Sequence, residues 1–107
     1  MFYNKNGDNY LNPVDGIQLK TLTYGEHVSM VEFKMEQGTK LPFHEHPHEQ
    51  IGYLVSGRLD LTIGDQVFQV KPGDSWCIPG GVQHGATLID DSIAIEIFSP
   101  VREDYLP

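Results

Sequence analysis

Short runs of alternating apolar and polar residues, broken by turn residues, most constrain what this chain can fold into. In residues 58–63, apolar Leu59, Leu61 and Ile63 occupy every second position. Such alternation is typical of a β-strand with one face buried and the other exposed. The turn Gly64-Asp65 follows, and residues 66–70 then pair back as a hairpin. No segment has the periodicity of an amphipathic helix.

The same pattern recurs along most of the chain and predicts roughly eight strands. Segment 38–47 is a loop or a bent strand, residues 1–16 form an irregular N-terminal arm, and residues 99–107 form a C-terminal tail. Antiparallel pairing in a closed barrel or a sandwich removes exposed strand edges. We therefore predict one all-β domain over residues 1–107. The strands are predicted at residues 17–24, 28–35, 51–55, 58–63, 66–70, 75–78, 84–89 and 92–98.

The charge balance restricts the classes of partner. The chain has 107 residues and carries 15 acidic against 7 basic side chains, a formal net charge of -8. This excess of negative charge argues against nucleic acid or an anionic membrane surface as a partner. An anionic substrate would need local positive charge at its binding site.

Neither terminus nor interior carries a segment typical of export or membrane insertion. The first residues lack the basic and apolar regions of a signal peptide, and no apolar run reaches the length of a membrane span. We therefore expect a cytoplasmic protein. The single cysteine, Cys77, can form no internal disulfide, and we interpret it as a small buried hydrophobic residue.

A cluster of imidazoles is the first candidate for chemistry. His44, His46, His48 and Gln50 occupy alternate positions, so in an extended chain they face the same side. Neutral imidazole is a common ligand of transition metals, and His84 is the best-placed distant residue to complete a site. The alternative is a polar surface loop that is rich in histidine by chance. For His48 the alternative to a ligand is a residue that lines the pocket.

The spacing around these residues favours a metal site over a chance cluster of histidines. Two motifs in the chain resemble the two signature motifs of the cupin superfamily. The resemblance implies a jelly-roll barrel with one divalent transition metal ion inside (Zn, Ni, Mn or Fe). The resemblance also implies that the ligands of the ion are His44, His46, Gln50 and His84. The first motif comprises Gly38, His44, His46, Gln50 and Gly57, and the second Gly73, Pro79, Gly81 and His84.

Two positions depart from the common cupin pattern. Glu is commoner at the position of Gln50, and Asn is commoner at the position of Leu88. A neutral amide leaves the full charge of the ion uncompensated by its ligands. This charge favours a Lewis-acid role and an anionic substrate.

The last predicted strand has two unlike faces. Ile93, Ile95 and Ile97 share one face, which we expect to pack against a second sheet or against another subunit. The second possibility makes a homodimer the expected assembly. Glu96 and Phe98 lie on the other face. Glu96 is either an exposed residue on an edge strand or a pocket carboxylate that can move protons.

The residues after this strand sharpen the resemblance. Together with the first motif they resemble the small cupins of pectin and alginate breakdown, which convert 4,5-unsaturated uronate monosaccharides to the linear keto form. An acidic residue, a Phe and an Arg accompany the ligands in that family, and Glu96, Phe98 and Arg102 match them. The family acid is usually Asp. The alternative for Arg102 is a salt bridge within the tail, to Glu103 or Asp104.

The resemblance implies a metal-dependent enzyme that opens the ring of a small anionic sugar. Its catalytic residues would be Glu96 and Arg102, and its substrate pocket would include Phe98 and His48. Two other classes of function stay open on the same barrel. One is a metal-dependent oxygenase of a small organic substrate. The other is a module that binds a small molecule without catalysis.

Overall fold

Ten β-strands and one short 3-10 helix make up the regular structure, in a computed structural model that describes residues 1–107. No helix is long and apolar enough to cross a membrane. The 3-10 helix spans Glu103–Tyr105. The strands are β1 (Leu11–Val14), β2 (Ile17–Tyr24), β3 (Ser29–Met35), β4 (Lys40–His44), β5 (Glu49–Ser56), β6 (Leu59–Ile63), β7 (Gln66–Val70), β8 (Ser75–Ile78), β9 (His84–Leu88) and β10 (Ser92–Ser99).

The strands form two antiparallel sheets that face each other, as predicted for an all-β jelly roll. One sheet has six strands in the order β1-β2-β3-β10-β5-β8, and the other has four in the order β4-β9-β6-β7. The last strand, β10, therefore lies between β3 and β5 in the middle of the larger sheet. Some neighbours, such as β10 with β5 and β4 with β9, come from distant parts of the chain, so residues far apart in sequence meet in the interior.

The core lies between the sheets and follows the alternation in the sequence. Val31, Phe33 and Met35 of β3 point inward from the larger sheet, and Leu59 and Leu61 of β6 point inward from the smaller one. Each of these side chains loses most of its contact with water, and burial of an aliphatic or aromatic side chain stabilises a fold by roughly 1.5–3 kcal/mol. The hydrophobic contacts between the two inner faces hold the sheets together.

Segment 38–47 contains strand β4 and then bends, which agrees with the bent strand among the predicted alternatives. Two details differ from the sequence prediction. The N-terminal arm contributes a short edge strand, β1, which pairs with β2. Cys77 is exposed rather than buried, because Trp76 and Ile78 take the inward positions of β8 and leave the residue between them on the outside.

The two faces of β10 are oriented with the charged face inward. Ala94 and Phe98 are buried against the smaller sheet, and Glu96 lies between them on the same face. The isoleucines lie on the outer face of the larger sheet and stay partly exposed. The expectation that a second sheet covers them is therefore wrong for a single chain. β10 takes this orientation because it buries Phe98 between the two sheets, where the core of the barrel needs an apolar side chain.

Candidate metal centre and active site

Three histidines from different parts of the chain meet at one end of the barrel. His44 ends β4 and is the register partner of His84, which begins β9. His46 follows in the bend after β4. One ring nitrogen from each histidine lies within 4.8 Å of those of the other two. Pairing of β4 with β9 thus brings together imidazoles that are forty positions apart.

The hydrogen bonds of these histidines determine which ring nitrogen is free. Nδ1 of His44 donates to the Pro42 carbonyl at 2.8 Å, and Nδ1 of His84 donates to the Val82 carbonyl at 2.9 Å. Nδ1 of His46 donates to the His48 carbonyl at 3.1 Å. Each ring is thereby held in the tautomer that leaves a lone pair on Nε2, which is the usual arrangement for a metal-binding histidine.

Two atoms of the cluster lack a suitable partner within the protein. Nε2 of His84 is buried and makes no hydrogen bond. Nε2 of His46 lies 3.0 Å from Oε1 of Gln50, a buried residue of β5. With Nδ1 of His46 already donating, both of these facing atoms are acceptors, and two acceptors this close need a cation between them or a shared proton. The arrangement fits a metal ion held by imidazole nitrogens and one amide oxygen.

Burial favours the neutral form of two of these imidazoles. It lowers the pKa of His84 and of His46, and the positive charge of Arg102 lowers the pKa of His46 further. A neutral imidazole is the form that binds a metal, so these two residues are held in the binding form. A set of imidazoles with one neutral oxygen suits Zn²⁺, Ni²⁺ or Fe²⁺ better than the oxygen-preferring Mg²⁺ or Ca²⁺.

Glu96 lies beside this cluster on the inner face of β10. Its Oε1 accepts hydrogen bonds from Nε2 of Gln50 and from Nε1 of Trp76, the latter at 3.1 Å. Burial raises the pKa of the Glu96 carboxyl, against the lowering effect of these two donors. Its other oxygen, Oε2, accepts no hydrogen bond from the protein, so it can accept one from a ligand in the cavity.

Arg102 makes both of the contacts that the sequence left open: it lies at the pocket and it forms a salt bridge within the tail. Its side chain lines the cavity, and it also forms the salt bridge within the tail, to Asp104 rather than to Glu103. Nε and Nη2 donate to the two Asp104 oxygens at 3.0 and 2.8 Å. Burial acts to lower the pKa of Arg102, but the hydrogen bond with Asp104 raises it overall. The guanidinium is thus a fixed positive charge at the wall of the cavity, and its Nη1 takes no part in the salt bridge with Asp104.

Aromatic rings form the apolar wall of the same cavity. The Phe98 ring lies 5.8 Å from that of His46, and the Arg102 guanidinium lies over the Tyr105 ring at 4.0 Å. The cavity encloses about 590 Å³ with its open mouth included.

The structure does not bring His48 into this cavity. Its ring lies on the far side of His46, in a separate surface cleft formed with Pro100 and Asp104. The chain is not extended over residues 45–48, where Pro47 introduces a bend, so the alternation that predicted a shared face fails there. We therefore correct the expectation that His48 lines the substrate pocket.

Sequence reasoning missed two residues of the site. Trp76 and Tyr105 both line the cavity, Trp76 from β8 and Tyr105 from the tail. The alternation in β8, where Trp76 and Ile78 share a face, signals that Trp76 points inward. No pattern in the tail indicates that Tyr105 folds back over the barrel.

Comparisons with known proteins agree with this architecture. The sequence matches the Cupin domain family over residues 31–99. It is 31% identical over 94 residues to the pectin degradation protein KdgF of Dickeya dadantii, with 86% of each chain covered.

Two solved structures are also similar. KdgF from a Halomonas species superposes with a TM-score of 0.87 at 32% identity, covering 92% of this chain and 93% of that one. An RmlC-like cupin from Shewanella frigidimarina gives a TM-score of 0.87 at 28% identity, covering 92% and 88%. From its sequence match and its two facing sheets, the chain belongs to the cupin family.

Proposed function

We propose that this cupin binds one divalent transition metal ion and converts 4,5-unsaturated uronate monosaccharides to their linear keto form. The observation that carries the proposal is one cavity that combines three imidazoles, a neutral amide oxygen, a carboxylate and a guanidinium. The proposed ion and Arg102 would supply positive charge inside a chain of net charge -8. The similarity to pectin degradation proteins named KdgF supports a substrate derived from uronate polymers.

The reaction needs a base near the sugar, and Glu96 meets that need. Its free Oε2 accepts the proton of the anomeric hydroxyl. The anomeric oxygen then forms the C=O of an aldehyde as the bond from the anomeric carbon to the ring oxygen breaks, and the electron pair of the broken bond stays on the ring oxygen as an enolate. Glu96 returns the proton to the enol carbon, which yields the ketone. The product is an isomer of the substrate, so no oxidant or reductant is consumed.

The proposed ion and Arg102 divide the binding of the substrate. A Lewis-acid ion in the histidine cluster would stabilise negative charge on a bound oxygen. Arg102 holds the substrate carboxylate through Nη1, since Asp104 already occupies Nε and Nη2. Phe98 gives the sugar an apolar surface to rest on and limits access of water. Each role falls to a side chain that lines the cavity.

We further propose that the outer face of the larger sheet pairs with a second copy of the chain. On β5 and β10 this outer face carries Ile51, Tyr53, Val55, Ile93, Ile95 and Ile97, of which Ile51, Tyr53 and Val55 are 46%, 51% and 48% exposed. Glu32 and Lys34 of β3 border this apolar patch as register partners of Ile95 and Ile93. A contiguous apolar patch on the surface of a domain is typical of an interface.

The loss of ultraviolet absorbance from an unsaturated uronate tests the reaction. The double bond conjugated to the carboxylate absorbs, and the keto product does not. Zinc-loaded wild-type protein is expected to accelerate the loss over the spontaneous rate, and nuclear magnetic resonance is expected to show the linear ketone. A rate equal to that of a buffer containing the same zinc would refute the proposal.

The two alternative functions predict different results in the same experiment. A metal-dependent oxygenase would consume oxygen with a phenol, a thiol or a diketone while leaving the uronate intact. A binding module would hold the sugar unchanged, which a crystal structure with the ligand would reveal. Oxygen electrode and product analysis on one preparation therefore separate the three functions.

A further inference from the structure

We infer that Trp76 is a positioning residue for the metal centre, acting through Glu96 on the amide of Gln50. This inference rests on the proposed metal site and deepens it. Trp76 donates to Oε1 of Glu96, and the same oxygen accepts from Nε2 of Gln50. The two hydrogen bonds form a chain of contacts that ends at the amide oxygen facing His46.

The carboxylate determines which way the amide points. A carboxylate oxygen is an acceptor, so only the NH₂ group of Gln50 can face Glu96. The amide oxygen then has to point the other way, toward Nε2 of His46 at 3.0 Å. Were the amide reversed, its oxygen would face the carboxylate and its NH₂ group would face the ion, and both contacts would be repulsive.

A glycine makes the contact with Trp76 possible. Glu96 of β10 is the register partner of Gly52 on β5, and Gly52 is the register partner of Trp76 on β8. The three residues therefore form one row across the sheet. A Cβ on Gly52 would lie 2.1 to 2.3 Å from atoms of the indole ring, among them Nε1.

This close approach explains how a side chain on β8 reaches past β5 to β10. The indole lies across the bare backbone of Gly52, so Nε1 comes within hydrogen-bond distance of Glu96. Any larger residue at position 52 displaces the ring, because the blocking atoms belong to the rigid indole. Gly52 thus serves the site through Trp76 without touching the proposed ion.

The hydrogen bonds also hold Glu96 in place for the proposed reaction. Because both donors bind Oε1, the carboxylate is held in one orientation and Oε2 is left without a protein donor. Supporting groups that orient metal ligands typically change metal affinity by about 10–100-fold when removed. We therefore expect loss of the indole N–H to be visible in metal binding before any sugar is added.

The test compares the Zn²⁺ affinity of Trp76→Phe with that of wild type, by competition with a chromophoric chelator and without sugar. Trp76→Phe keeps an aromatic ring but loses the donor, and we expect about 10-fold weaker binding. Gly52→Ala, which displaces the ring, is expected to weaken binding at least as much. Tyr24→Phe removes a hydroxyl from an exposed aromatic on β2 and is expected to bind like wild type.

A second readout does not depend on the variants folding. In the ¹⁵N-labelled metal-free wild type, one side-chain amide proton of Gln50 is expected to exchange slowly with solvent. Rapid exchange of both protons would overturn the inference, as would a folded Trp76→Phe protein whose Zn²⁺ affinity lies within twofold of wild type. If wild type itself fails to bind Zn²⁺, Ni²⁺, Mn²⁺ or Fe²⁺, the proposed function fails instead, whatever the exchange result.

Discussion

The two faces of β10 have opposite character, and their orientation reverses what hydrophobicity alone would favour. The inner face carries Glu96, a charge that burial disfavours, whereas the outer face carries three isoleucines that stay partly exposed. Glu96 is tolerated inside because Gln50 and Trp76 donate to it. The isoleucines of the outer face carry no polar group and stay partly exposed in the single chain. The difference teaches that a chemical site, rather than apolar content, can determine which side of a strand faces the core.

The largest expected effect concerns the metal site beside the inner face of β10. His84→Ala removes a buried imidazole whose Nε2 has no other partner, and we expect Zn²⁺ affinity to fall by about 100-fold or more, beyond the effect typical of supporting residues. Chelator competition measures it. His27→Ala, at an exposed histidine, is the matched control and is expected to change nothing. Equal affinities of the two variants would place the ion elsewhere.

The next prediction concerns the guanidinium that we propose to hold the substrate. Arg102→Lys keeps a positive charge but loses the planar guanidinium, which Lys cannot reproduce for a carboxylate. We expect KM for the unsaturated uronate to rise by about 10-fold, since hydrogen bonds to charged groups contribute roughly 1.5–3 kcal/mol, with a smaller change in kcat. Steady-state absorbance kinetics measure both constants. An unchanged KM would remove Arg102 from the substrate site.

The substitution Ile95→Asp tests the proposed interface on the outer face of the larger sheet. Placing a carboxylate at the centre of the proposed dimer surface buries two like charges, so we expect dimerisation to weaken by about 30-fold or more. Analytical ultracentrifugation measures the dissociation constant. Because Ile95 points away from the cavity, Zn²⁺ affinity of the variant is expected to match wild type. A wild type that is monomeric at all concentrations would refute the interface.

These comparisons indicate how much the sequence could predict. Strict alternation in β6 predicted its buried face, and the spacing of two motifs brought His44, His46 and His84 to one place before any coordinates. The prediction that His48 lines the pocket failed because the bend at Pro47 breaks the alternation there. The sequence did not identify Trp76, because its role depends on the space left by Gly52 on a neighbouring strand. The order of residues in the chain does not show which strands are neighbours.

The smallest effect is a pH dependence of stability in the metal-free protein. Burial raises the pKa of Glu96 in the folded state, so its carboxyl favours the fold below its unfolded pKa and loses this stability as pH rises through the folded pKa. Glu96→Gln stays neutral at every pH. We expect the variant to gain stability relative to wild type as the pH rises above 4.5, the ordinary pKa of a Glu carboxyl. Denaturant unfolding at several pH values measures it, and a difference independent of pH would contradict the burial of a charge.

The coordination of zinc in the loaded wild-type protein tests the central claim most directly. A crystal structure with anomalous diffraction at the zinc edge would identify the ion and its ligands. We predict one ion at full occupancy bound by Nε2 of His44, His46 and His84 and by Oε1 of Gln50. An ion bound elsewhere, or a Gln50 amide that turns its nitrogen toward the ion, would contradict the account.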